Sequence, residues 1–67
     1  MRSYVTDIEV IYQHRTEHAV CVRSHEDSED TLLPLAQVEI EAPDGMVRGR
    51  VVTITAPQAV LEEKGLV

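Results

Sequence analysis

Four separate stretches of the chain alternate a β-branched or aromatic residue with a polar one, a period of two that suits a strand buried on one face. In residues 4–12, Ile8, Val10 and Tyr12 share a face and Asp7 and Glu9 oppose them. In residues 19–24, Val20 and Val22 alternate with Cys21 and Arg23. Val38 and Ile40 alternate with Glu39 and Glu41, and Val52 and Ile54 with Thr53 and Thr55. A fifth apolar run, residues 31–35, carries Pro34, whose missing N–H confines it to a sheet edge. The pattern predicts a mainly β fold with about five short antiparallel strands, packed as a curved sheet or small open barrel.

The polar connector at 13–18 predicts that the first two strands form a hairpin. Residues 25–30, His-Glu-Asp-Ser-Glu-Asp, lack strand formers and read as a solvated acidic loop. They do not match a calcium loop, which needs alternating oxygens, a central Gly and a terminal bidentate Glu.

The last thirteen residues predict one short C-terminal helix closed at both ends. Thr55 and Gln58 have the spacing of a capping box, and Pro57 falls in the first turn, where a missing N–H costs nothing. Gly65 supplies a left-handed stop, and Leu66 is placed to pack back on Leu61. Glu62 and Glu63 are adjacent, point apart and sit unfavourably at the negative helix end, where Lys64 partly offsets them.

The segment Ala42-Pro-Asp-Gly45 places Pro second and Gly fourth, which favours a type I turn followed by a glycine bulge. One bulge residue brings Val38, Ile40, Val52 and Ile54 onto a single face. In that register Arg48 and Arg50 fall on the core side, near the hairpin tip. A two-residue Asp-Gly loop would instead pair Glu41 with Arg48 and Glu39 with Arg50, and would require a donor that Pro43 lacks.

Sixty-seven residues make one small β-rich domain, residues 1–67, with ten Val, five Leu and four Ile but no Phe or Trp and only two Tyr. A core built from such side chains rarely supplies more than about 3–5 kcal/mol. Cys21 is the single cysteine, so neither an intrachain disulfide nor a multi-cysteine zinc framework is available. Self-association is the remaining staple, and a homodimer that pairs or exchanges strands is the expectation. A net charge of −6 argues against strong sequence-independent nucleic-acid binding, which draws on a Lys/Arg excess, and suits solubility or a basic partner. The first residues, Met1-Arg-Ser-Tyr-Val-Thr-Asp7, contain no apolar leader segment, and no apolar run reaches membrane length. The lone thiol fits a reducing compartment, and the cytoplasm is expected, with no membrane association.

Ligand-type residues cluster once, as His14, His18, Cys21 and His25. Zinc needs three or four such groups converging tetrahedrally, and these spacings match no finger, so the four are weak metal candidates and no cofactor is expected. Cys21 with His18 or His25 is the one nucleophile–base pairing the chain offers, and a domain this small has little concavity to exclude water. The reading is of a protein that is not an enzyme. Arg48, Arg50 and Tyr12, with Arg23, are the nucleic-acid candidates, on the pattern of small barrels that bind single strands through basic grooves and aromatic platforms.

Three segments resemble a group of small uncharacterised bacterial and phage β-domain proteins. They are Arg15-Thr-Glu-His-Ala-Val-Cys-Val22, Leu33-Pro-Leu-Ala-Gln-Val-Glu-Ile40 and Pro57-Gln-Ala-Val-Leu-Glu-Glu-Lys-Gly-Leu-Val67. The helix that reads Pro-x-x-Leu-x-Glu-Glu-Lys-Gly-Leu in that group is the most specific part. Leu35 and Ala36 stand where the group has Lys and Ser, and Ala59 where it has Trp, so a binding surface there would lack its basic and aromatic parts. The resemblance implies a phage- or prophage-type accessory protein, near replication or recombination genes, and transfers no catalytic residues. Together these readings predict a non-enzymatic, homodimeric interaction or accessory module. The alternative is a single-stranded nucleic-acid accessory protein using Arg48, Arg50 and Tyr12.

Overall fold

The computed structural model describes residues 4–67, so the leader reading at Met1, Arg2 and Ser3 lies outside the described residues. Five antiparallel strands make one open sheet: β1 (Val5–Arg15), β2 (Ala19–Arg23), β3 (Thr31–Pro34), β4 (Glu39–Glu41) and β5 (Val51–Pro57). Their spatial order is β3-β2-β1-β5-β4. A single helix, α1 (Gln58–Glu63), follows β5 directly.

The alternation does what its period requires. Val10 and Tyr12 of β1, Val20 and Val22 of β2, Leu33 of β3, and Val52, Ile54 and Ala56 of β5 are buried together on one side with Leu61 of α1. Cross-strand partners align them, Ile8 opposite Ile54, Val10 opposite Val52 and Val20 opposite Leu33. β1 is the longest strand and pairs on both sides, so it organises the sheet. It runs past the expected end at Tyr12, and Gln13 forms a bulge between Tyr12 and His14 in the ladder to β2. That extra residue lets His14 rejoin on the face of Cys21.

β3 and β4 occupy opposite edges, yet only residues 35–38 join them, three of them in a 3-10 turn (Leu35–Gln37). Laid flat, five strands set their outermost members about 19 Å apart. The link spans less, because a 3-10 turn advances only about 2 Å per residue. The sheet must therefore curl, and Leu35 and Val38 of the link pack against the enclosed core.

The β4–β5 connection corrects the expected tight hairpin. Gly45 N–H does donate to Ala42 C=O at 2.9 Å, with Gly45 at φ +84°, as a type I turn ending in a left-handed glycine requires. Ile40 and Ile54 share a face, as the bulged register predicts, but they pair directly, whereas a tight bulged hairpin would set Ile40 opposite Arg48, six residues earlier. Residues 42–50 form a nine-residue loop instead. A second turn explains it: Arg50 N–H donates to Val47 C=O at 3.0 Å and Gly49, third in that turn, has φ +88°. Arg48 and Arg50 thus lie exposed in a loop, neither on the core side nor laddered to Glu39 and Glu41.

The helix start is also corrected. Thr55 belongs to β5 and no side chain caps α1, whose N-cap is Pro57. The N–H of Gln58 continues the sheet by donating to Tyr4 C=O at 2.8 Å. The stop is as expected: Gly65 has φ +74°, its N–H donates to Glu62 C=O at 3.0 Å, and Leu66 N–H to Leu61 C=O at 2.9 Å. Those two bonds constitute a Schellman motif, with Leu66 packed against the core cluster that holds Leu61.

Candidate functional site

The face of the sheet turned away from the core carries the chemistry. Its rows follow from the ladder. Asp7, Thr55 and Glu39 form one row across β1, β5 and β4, and Glu9, Thr53 and Glu41 the next. Four carboxylates therefore flank two threonines, and Thr55 Oγ1 donates to Asp7 Oδ1 at 2.6 Å. This quadrant repels phosphate and makes the β4 edge acidic.

Apolar side chains bracket the acidic rows. Val5 is 62 % exposed, Val51 57 % and Leu32 54 %, and all three lie on this outer face. Ile11, half-buried, pairs with Val51 on one side and Arg23 on the other. Leu32 pairs with Cys21 at the β3 edge.

Between these regions lies a polar cluster over β2. Arg23 Nε donates to Asp30 Oδ1, pinning the far end of the acidic loop onto the sheet, and Arg23 Nη1 reaches Glu26 C=O at 3.4 Å. The bond from Arg23 holds the Asp30 carboxyl below its ordinary value. Burial pushes the Cys21 thiol up, and the charge of Asp30 and the thiol's hydrogen bond to it push the same way, with Arg23 and Arg48 opposing. Cys21 is thus a protonated, covered thiol, the opposite of an activated nucleophile.

The four weak metal candidates are dispersed. His14 lies opposite Cys21 in the ladder but is exposed, His18 sits in the β1–β2 turn beside Glu17, and His25 caps a separate turn with Ser28. No three His, Cys, Asp or Glu side chains among the described residues come together to hold a metal ion. Tyr12 is only 6 % exposed and belongs to the core, so its ring is not presented as a stacking platform. The link from loop to sheet is backbone: Gly49 N–H donates to Tyr12 C=O at 2.8 Å and Tyr12 N–H to Arg50 C=O at 2.9 Å. Sequence reasoning missed the Arg23–Asp30 pair, although their positions flank a loop whose ends the hairpin must bring together. No family model, curated protein or solved structure matches this chain.

Proposed function

We propose that the domain is a non-enzymatic interaction or accessory module that works as a homodimer. The observation that carries this reading is Leu32, more than half exposed on the uncharged edge strand β3, while Val5 and Val51 stay exposed on the same outer face for a further partner. Solvating such side chains on a domain with few bulky core residues is unfavourable, and burying them against a second surface recovers roughly 25 cal/mol per Å². The raised Cys21 thiol and the separated histidines favour the non-enzymatic side of the reading. A buried lone thiol suits a reducing, cytoplasmic setting, and no helix among the described residues is long and apolar enough to cross a membrane. The resemblance to bacterial and phage β-domain proteins supports an accessory role within a phage or prophage.

Sedimentation across a hundredfold dilution series tests the dimer: a stable, folded monomer throughout removes it. The nucleic-acid alternative keeps two exposed arginines, Arg48 and Arg50, but loses the aromatic contribution of Tyr12. Titrating an oligonucleotide at low salt tests that alternative, and absence of binding there ends it.

A further inference from the structure

We infer that two copies of this chain join edge to edge through β3, with Leu32 of each copy opposite Leu32 of the other. The inference rests on the homodimer reading and names its interface. Three observations converge on it: the backbone register of β3, the charge of the two sheet edges, and the exposure of Leu32.

The register comes first. Leu35 N–H donates to His18 C=O at 2.9 Å, one step beyond the last β2–β3 pair, Ala19 with Pro34. Antiparallel ladders alternate hydrogen-bonded and non-hydrogen-bonded pairs. Leu33 and Thr31 therefore direct their backbone groups at Val20 and Val22, and Leu32 and Pro34 direct theirs outward. Pro34 has no N–H to leave unpaired there, and Leu32 presents both a donor and an acceptor. A second β3 running antiparallel, centred on Leu32, exchanges two N–H···O=C bonds between the two Leu32 residues. Asp30 N–H of each copy then meets Pro34 C=O of the other.

A two-fold axis perpendicular to the sheet generates this arrangement and keeps like faces together. The two Leu32 side chains meet on the outer face, each beside a buried Cys21, while Leu33 faces Thr31 of the second copy on the core side. Every contact is reciprocal, as a closed dimer requires.

Charge selects the edge. The other edge, β4, carries Glu39 and Glu41, which self-pairing about Ile40 would set against each other. β3, Thr31-Leu-Leu-Pro34, has no charge, and the neighbouring Asp30 is compensated by Arg23. Joining at β3 also sends the acidic quadrants to the far ends of a ten-stranded sheet, the lowest-repulsion arrangement for copies of charge −6.

Sedimentation of the wild type, Leu32→Asp and, as a control on the opposite edge, Glu41→Lys tests the interface, with circular dichroism reporting the fold. Leu32 is 54 % exposed and on the outer face, so the aspartate leaves the core intact. The expected result is a dimer for wild type and Glu41→Lys and a folded monomer for Leu32→Asp. A wild-type dimer that survives Leu32→Asp overturns this interface and leaves the dimer reading standing. A wild-type monomer overturns both. Should Leu32→Asp fail to fold, Leu32→Cys in a Cys21→Ser background decides: an intermolecular disulfide under mild oxidation supports the pairing, and its absence in a dimeric sample refutes it, since opposed Cα atoms about 5.5 Å apart lie within bridging range.

Discussion

Thr55 donates its hydroxyl to the Asp7 carboxylate at 2.6 Å, tying β5 to β1 through two residues 48 positions apart in the chain. The same hydroxyl had the spacing to cap the following helix. It serves the sheet because β5 extends to Pro57, the N-cap, and leaves Thr55 two residues before that cap.

This relationship makes a direct prediction. Thr55→Val keeps the β-branch and removes only the hydroxyl, so it costs about 0.5–1.5 kcal/mol in urea unfolding. Gln58→Ala, which would break a capping box, changes stability by less than about 0.5 kcal/mol. Equal large losses at both positions would mean that the two residues act as a helix cap.

Leu61 is fully buried and is the single buried residue of α1. Leu61→Ala is expected to cost about 2–5 kcal/mol, enough to unfold much of a population whose core supplies about 3–5 kcal/mol. A thermal melt checks it, and a shift of only a few degrees would show that the helix is an appendage and not part of the core.

Gly65 stops the helix at φ +74°, with open space where a Cβ would stand. Strain in the left-handed region therefore sets the cost of Gly65→Ala, about 1–2 kcal/mol. Chemical denaturation measures it. Gly65→Asn is expected to lose less, because Asn tolerates that conformation better.

The Arg23–Asp30 pair gives stability a pH dependence of known sign. The Asp30 pKa is depressed in the folded state, so the unfolded chain binds its proton first as pH falls. The contribution is full above the ordinary carboxylate value of 3.8 and is lost as pH drops through the folded value below it. Comparing acid unfolding of wild type and Asp30→Asn checks this: the variant is expected to lack that part of the dependence.

Cys21 is 3 % exposed and its thiol pKa is raised. A thiol reagent at neutral pH is expected to label the native protein far more slowly than a small free thiol and to react fully in denaturant. Rapid native labelling would show that the Arg23–Asp30 cover opens readily.

The strands were legible because a half-buried ladder imposes its period on the residues themselves: Val20 against Cys21, Val52 against Thr53. The glycine stop was legible for a similarly local reason. Partner choice along the ladder was less so. The face shared by Ile40 and Ile54 was readable, since faces depend only on parity, but a displacement of six residues preserves parity and leaves no trace in the alternation. Gly49 was the available signal, as a second turn-forming residue inside an expected strand. The polar cluster over β2 was hidden because Arg23 and Asp30 meet only when β3 pairs with β2, and Tyr12 looked available to a ligand because alternation assigns a residue to a face without saying which face will be closed.

The central position of β1 has a consequence for how the molecule comes into being. Its ladder to β2 can form early, but its other flank waits for β5, whose residues are separated from it by most of the chain. A hairpin of β1 and β2 formed before β5 joins leaves its oily side uncovered. Folding that hinges on so remote a partner is slow for its size, and the interval before closure is when chaperones or neighbouring nascent chains have their opportunity.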